Sequence, residues 1–446
     1  MDKFIITGGT RLHGVVKVCG AKNAILPILA ASLLSSGTCV IHNVPLLQDV
    51  VVMTNVLKCF GAKVRWENKA LIIDATNVHP AEIPEETVKK MRASNLVLGP
   101  LLARFGYVKI PYPGGCAIGS RPMDYHVKGL QQLGADVQDG YGFIEGKSAG
   151  LVGSEVYLDF PSVGATENIL MAAAMAKGVT ILRNAAREPE VVDLAVFLNK
   201  MGAKIEGAGT DIVQITGVPR LDSVEHTVIP DRIVAGTFLL AAAMTGGDIT
   251  LTNALVEHLE PIIAKLREAG SSITKNGRGI RIKGTRGLKA VDIKTMPFPG
   301  FPTDIQPQMM ALLTLARGTA VIAENIFENR FKHADELRRM GADIRVAGRI
   351  AIVKGVKKLT GAVVEASDLR AGAALVLAGM AAEGVTVVEN IFHIDRGYYR
   401  LEEKYNVLGA NIIRVSGENS RPYEFNQFSS NREIQFPGKK GLSLVK

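Results

Sequence analysis

The stretch Val56-Leu57-Lys58-Cys59-Phe60-Gly61-Ala62-Lys63-Val64 decides the fold, because its ending recurs five more times. An amphipathic run stops at Phe60, a glycine follows, and a strand-like run begins at Ala62. The other endings are Leu133-Gly134-Ala135, Met201-Gly202-Ala203, Ala269-Gly270-Ser271, Met340-Gly341-Ala342 and Leu408-Gly409-Ala410. Successive glycines lie 68 to 73 residues apart. The position after a helix favours a left-handed backbone, which glycine adopts at least cost. Each ending therefore reads as a helix that stops and turns into a pair of short strands.

Upstream of five of these turns lies a second landmark, a strand that begins at Gly and ends at Asn: Gly37 to Asn43, Gly178 to Asn184, Gly247 to Asn253, Gly318 to Asn325 and Gly384 to Asn390. The second repeat departs from its siblings and carries Pro113-Gly114-Gly115-Cys116 instead, which makes it the place to look for chemistry. Each unit also holds a run that is apolar nearly all round, over 24–34, 94–105, 165–177, 233–245, 305–316 and 370–382. A helix without a polar face belongs inside a core, whereas the amphipathic runs at 50–60 and 194–201 suit an outer layer. The unit is thus strand, buried helix, strand, surface helix, hairpin. The expected class is α/β, with six β-α-β-α-β-β repeats.

The period is longer than that of the common solenoids. Residues just before the buried helices pair at an offset of about 210: Lys22 with Asp231, Arg92 with Asp304, Ser162 with Asp368. Three units plus three is the grouping this favours, in two domains whose buried helices point their N-termini at the space between. On repeats alone a solenoid stays open.

Composition narrows the function. Of 446 residues, 47% are hydrophobic, 21% charged and 6% aromatic, with a single Trp, which suits a globular α/β protein better than a platform that stacks nucleobases. The net charge is +9, from 52 Lys+Arg against 43 Asp+Glu, with no long basic run. That favours small anionic ligands at least as much as nucleic acid. Cys19, Cys39, Cys59 and Cys116 match neither a metal spacing nor a disulfide framework. The N-terminus lacks the apolar core of a signal peptide, and no apolar run reaches the ~20 residues of a membrane span. The expectation is a soluble cytoplasmic protein with reduced thiols, of open oligomeric state, monomer included.

The helix starts carry Lys22-Asn23, Arg92, Ser162-Val163-Gly164, Asp231-Arg232, Thr303-Asp304 and Asp368-Leu369-Arg370. Ser and Asp there have an ordinary reading as caps. Lys and Arg do not, since they oppose the helix dipole; a bound anion would explain them. In the Gly-rich segment from Pro113 to His126, Gly114 and Gly119 have phosphate-loop spacing, but Ser120 stands where that motif needs Lys. Three glycines and two prolines suit a loop that closes over a ligand, with Cys116 as its reactive thiol. The other cysteines read as structural, at strand or helix positions. Glu188 and Glu190 read equally well as acids, bases or a charged helix start. His126, His333 and His393 have no metal spacing, and neither metal nor cofactor is expected.

Taken in order, Gly20-Ala21-Lys22-Asn23-Ala24, Met91-Arg92-Ala93-Ser94, the Cys116 loop with Arg121-Pro122, Ser162 to Thr166, Ala186 to Glu190, Phe301-Pro302-Thr303-Asp304, Phe327 to Arg330, Asp368-Leu369-Arg370 and His393 to Gly397 resemble the enolpyruvyl transferase family, in its branch acting on UDP-N-acetylglucosamine. The resemblance covers about residues 1–417. It implies two inside-out α/β domains, with the chain starting in the second, crossing to the first near residue 21 and returning near 230. The implied domains are 22–229, then 1–21 with 230–417, and a polar extension over 418–446.

The implied reaction adds the sugar 3-hydroxyl to C2 of phosphoenolpyruvate, then expels phosphate, in the first committed step of peptidoglycan synthesis. By resemblance Cys116 protonates C3 and Asp304 takes the hydroxyl proton. Lys22, Arg121 and Arg396 hold the phosphate, Arg330 and Arg370 the carboxylate region, and Asn23 and Asp368 complete the reacting end. Arg92, Arg121, Pro122, Met123, Asp124, Tyr125, Ser162, Val163, Gly164, Asp304 and Ile326 meet the nucleotide sugar. No nucleic acid or membrane partner is implied. One departure is Phe160-Pro161, where some members carry a Lys two residues before the serine. The rival readings are transfer to shikimate 3-phosphate, a paralogue without activity, and a basic scaffold for nucleic acid.

Overall fold

The computed structural model describes residues 2–86, 91–112, 118–119, 123–277, 279–285 and 287–417. Cys116, Arg121, Pro122 and the extension over 418–446 lie outside the described residues, as does the side chain of Arg92.

All six turn glycines take left-handed φ values, from 86° at Gly134 to 105° at Gly270. The Asn landmark has a matching cause. Asn43, Asn184, Asn253 and Asn390 sit at φ of 54° to 56°, a region that non-glycine residues other than Asn and Asp seldom visit. The side-chain amides of the first three donate to Val228 O at 2.9 Å, Leu158 O at 2.7 Å and Val18 O at 2.9 Å, each at the end of a neighbouring segment. The fifth unit has one residue more between its Gly and Asn. Asn325 is absent from the left-handed set, yet it still donates to Thr295 O at 3.1 Å.

The third unit shows the sheet plan. Glu155–Tyr157 lies parallel to Val179–Arg183, which pairs antiparallel with Ile212–Thr216 and, beyond it, Lys204–Glu206. Four other sheets repeat that order; the second unit shows three strands among the described residues. Two exchanges tie the halves of the chain together. His13–Lys17 precedes the first buried helix but pairs with Asp248–Thr252 of the fourth unit, while Glu225–Thr227 precedes the fourth helix but pairs with Thr38–His42 of the first. Lys3–Thr7 completes the sixth sheet between Val385–Glu389 and Asn411–Val415.

The buried helices are α1 (Lys22–Ala31), α2 (Leu98–Phe105), α3 (Val163–Ala173), α4 (Arg232–Thr245), α5 (Gln306–Leu313) and α6 (Leu369–Ala381). The fold is inside-out, with helices at the centre and sheets around them. In α4 every residue from Arg232 to Met244 is buried. There are two apolar cores, one drawn from Ala21 to Val228, the other from Phe4 to Val18 and Ile233 to Ile412. The chain passes between these lobes twice, side by side: Ala21 N–H donates to Ile229 O at 2.8 Å and Asp231 N–H to Cys19 O at 2.9 Å.

Central packing is close. A Cβ at Gly99 would lie 2.3 Å from Asn168 O, and Gly99 N–H donates to Asn168 Oδ1 at 2.8 Å, so α2 and α3 meet where only glycine fits. Three details differ from the sequence reading. α1, α3, α4 and α6 begin one or two residues earlier than their apolar runs, because Ser162, Asp231 and Asp368 cap from outside and Lys22 is itself helical. α2 and α5 open through 3-10 turns, Arg92–Val97 and Thr303–Ile305. Cys19 lies just past its strand.

Candidate active site at the seam between the lobes

The helix starts meet across the seam. Asp231 caps α4 by accepting from Ile233 N–H at 2.8 Å and Val234 N–H at 2.9 Å, and its other oxygen accepts Lys22 N–H at 3.0 Å. One carboxylate thus serves helices from both lobes. Asp368 caps α6 through Arg370 N–H at 2.8 Å and Ala371 N–H at 3.1 Å, and Ser162 caps α3 through Ala165 N–H at 3.4 Å.

Two charged groups build on these starts. In the first, Asp49 Oδ2 lies 2.6 Å from Lys22 Nζ, and Arg396 Nε of the other lobe lies 2.9 Å from Asp49 Oδ1. Burial pushes the Lys22 ammonium below its usual range; Asp49 opposes that, and Arg370 and Arg396 add to it. Burial also pushes the Asp49 carboxyl upward, but Lys22 and Arg396 outweigh it and hold it low.

In the second group, Asp304 takes a guanidinium on each oxygen, Arg330 Nη2 at 3.1 Å and Arg370 Nη2 at 2.8 Å. Burial works against the Arg370 charge, yet Asp304, Tyr398 and Asp231 raise its pKa. Tyr398 ties the base of this group together, with its hydroxyl 2.9 Å from Thr237 Oγ1 and 3.2 Å from Gln308 Nε2. Arg370 figures in the electrostatics of Lys22, so the two groups share one field.

Sequence reasoning missed the residue that shapes the Asp304 side. Glu324 is fully buried. Its Oε1 accepts from the Thr295 hydroxyl and Ile326 N–H at 2.9 Å and from Phe327 N–H at 3.1 Å, while Oε2 accepts from the Thr303 hydroxyl at 3.0 Å. It therefore fixes Thr303-Asp304 and Ile326-Phe327 to each other. Glu324 lies between the observed strand Thr319–Ala323 and Asn325, with no motif to mark it. Asp49 was missed because an acid in the first turn of a helix is ordinary.

The other expected residues divide. Asn23 follows Lys22 in α1, half-buried. Val163 and Gly164 form the first turn of α3, and a Cβ at Gly164 would meet His126 Cε1 at 3.1 Å. Asp124 opens the helix Asp124–Gln132 with Oδ1 buried and unpartnered, and Tyr125 packs partly against the first core. Met123 belongs to that core, its Sδ 3.2 Å from Asn95 Nδ2. His126 bonds Asn168 Nδ2 at 2.9 Å, a packing role. Beside the Cys116 loop, Ile118 O accepts Asn329 N–H at 3.0 Å, and a Cβ at Gly119 would lie 2.6 Å from Glu328 Oε2. The segment next to that loop thus rests on the second lobe.

Glu188 and Glu190 cross the seam elsewhere. Arg232 Nε donates to Glu190 Oε1 at 2.9 Å and Oε2 at 3.2 Å, and Phe298 N–H donates to Glu188 Oε1 at 3.2 Å. Both act as struts between lobes.

The sequence profile of EPSP synthase (3-phosphoshikimate 1-carboxyvinyltransferase) matches residues 6–405. UDP-N-acetylglucosamine 1-carboxyvinyltransferase 1 of Carboxydothermus hydrogenoformans is 58% identical over 418 residues, covering 94% of this chain and 99% of that protein. The protein of the same name from Caldanaerobacter subterraneus subsp. tengcongensis is 58% identical over 412 residues, covering 92% and 99%. Among solved structures, the enolpyruvyl transferase NikO from Streptomyces tendae matches at a TM-score of 0.85 and 26% identity, over 93% of this chain and 99% of that one. With a profile spanning most of its length and relatives identical at more than half of their aligned positions, this six-repeat chain belongs to the EPSP synthase family of enolpyruvyl transferases.

Proposed function

We propose that the chain transfers the enolpyruvyl group of phosphoenolpyruvate to the 3-hydroxyl of UDP-N-acetylglucosamine and releases phosphate, as the first committed step of peptidoglycan synthesis in the cytoplasm. The relatives' names supply the acceptor. The observation that carries the reading is the seam, where Asp304 between Arg330 and Arg370 shares a field with Lys22 and Arg396. A carboxylate held between two guanidinium groups, with further cations at helix N-termini nearby, suits a reaction that takes a proton from a hydroxyl while it binds and expels anions.

In this reading Asp304 accepts the 3-hydroxyl proton as that oxygen attacks C2, and the Cys116 thiol gives C3 its proton. The resulting tetrahedral ketal breaks its C–O bond to phosphate as C3 returns a proton. A thiol of pKa roughly 8.5 holds its proton at neutral pH yet can yield it. Lys22, Arg121 and Arg396 take the phosphate; Arg330 and Arg370 take the carboxylate; Asn23 and Asp368 border the reacting carbons. Arg92, Arg121 to Tyr125, Ser162 to Gly164 and Ile326 receive the nucleotide sugar.

The test is phosphate release from phosphoenolpyruvate with UDP-N-acetylglucosamine, with shikimate 3-phosphate, and with no acceptor. Release with the nucleotide sugar alone is expected. Release with shikimate 3-phosphate alone moves the chain to the other branch, and no release with either makes it a paralogue without activity.

A further inference from the structure

The buried carboxylate of Asp49 stands where the proposed reaction has least use for it. Its side chain is 3% exposed, and it touches two of the three cations assigned above to the departing phosphate, Lys22 and Arg396. Lys22 Nζ is 2.6 Å from Oδ2, and Arg396 reaches Oδ1 through Nε at 2.9 Å and Oδ2 through Nη2 at 3.4 Å. The two cations come from different lobes, Lys22 from the start of α1 and Arg396 from the turn after Phe392–Asp395. Arg396 is the more exposed, at 34%. So the anion site already contains an anion, built from the protein itself.

A lysine has three donors and a guanidinium five, so both cations can turn part of their donors to a phosphate while Asp49 keeps the rest. Two anions then share one buried site, and like charges repel strongly there. We propose that Asp49 is the resident counter-anion of the phosphate site. It is a positioning residue that draws Lys22 and Arg396 to one point across the seam when the site is empty. After C–O cleavage it helps expel free phosphate by reclaiming both cations. The inference rests on the phosphate assignment made above.

A purely structural ion pair and a resident counter-anion predict opposite signs. If Asp49 only orients its cations, neutralising it loosens them and phosphate binds more weakly. If it competes with phosphate, Asp49→Asn keeps the shape, removes the charge, and phosphate binds more tightly. The measurement is calorimetric titration of the full chain with inorganic phosphate, which needs neither acceptor nor turnover. Asp49→Asn is expected to lower the phosphate Kd about tenfold, with kcat and the KM for phosphoenolpyruvate falling together as release slows. Asp49→Glu, which keeps the charge, does not tighten phosphate. Asp49→Ser serves as the second neutral variant should Asn fail to fold, since serine suits a helix start.

Unchanged or weaker phosphate binding in a folded neutral variant overturns the proposal. So does the absence of phosphate binding in every form, wild type included. Wild-type turnover in the same preparations reports separately on the proposed function: absent turnover with tighter phosphate in Asp49→Asn removes the reaction and leaves the counter-anion standing.

Discussion

Two ends of the seam are built alike and charged oppositely. The helices Gln48–Cys59 and Pro189–Lys200 both pack against α1, and each offers an acid as its second residue, Asp49 and Glu190. Each acid meets an arginine of the other lobe, Arg396 and Arg232. At the Asp49 end four cationic side chains, Lys22 and Arg396 around Asp49 and Arg330 and Arg370 around Asp304, face two carboxylates besides the helix caps. At the Glu190 end the acids are in excess: Glu167 and Glu188 join Glu190 around Arg232, all four buried. The acid-rich end eases its surplus by holding a proton more tightly. Burial, then Glu190 and Glu188, push the Glu167 carboxyl well above its usual range. The cation-rich end has no such remedy, because arginine does not give up its proton, and in the proposed function its surplus meets the anionic substrates. A repeated frame thus yields a strut at one end and a site at the other.

The sharpest break of this contrast is Arg232→Met. It leaves Glu190 without its ion pair among two further carboxylates, and should destabilise the protein by about 3–5 kcal/mol in urea unfolding. At the other end Lys22→Ala leaves Asp49 its Arg396 partner, so it should cost less stability than Arg232→Met, and it should lower kcat by ~10²–10³, the usual loss when a fixed charge at a reacting anion is removed. A gentler change at the acid-rich end is Glu167→Gln. A carboxyl with raised pKa costs stability as pH climbs above its unfolded value near 4.5. The amide should therefore raise stability at pH 7 by about 1 kcal/mol and bring no gain below pH 4.

The smallest effect concerns His333, buried beside Arg330. Burial first, and Arg330 after it, lower its pKa from 6.5 to about 4, with Asp368 opposing. The unfolded chain binds the proton more readily there, so stability falls as pH drops from 6.5 toward 4. His333→Gln should flatten that part of the stability–pH curve and leave the neutral value nearly unchanged.

Much of this was legible in the residues. A left-handed glycine after each helix and a left-handed Asn at most strand ends are local necessities, so they recur and can be counted. Apolar runs without a polar face gave the central helices, and basic residues at their starts, against the helix dipole, pointed to anions. Register and partner choice were not legible. Nothing local says that His13–Lys17 pairs with the fourth unit rather than the first, which is a matter of tertiary competition. Asp49 and Glu324 look like any helix-start or loop acid until the folded chain brings Lys22, Arg396, Thr295 and Thr303 to them.

The most direct test of the central claim, that the cation-rich seam runs an addition followed by an elimination, is turnover of phosphoenolpyruvate and UDP-N-acetylglucosamine in heavy water. Passage through a protonated C3 predicts an enolpyruvyl sugar nucleotide that carries deuterium in its vinyl methylene, because C3 gains a solvent-derived proton and returns one of three. A product formed without deuterium would contradict it, as would phosphate released with no enolpyruvyl sugar formed.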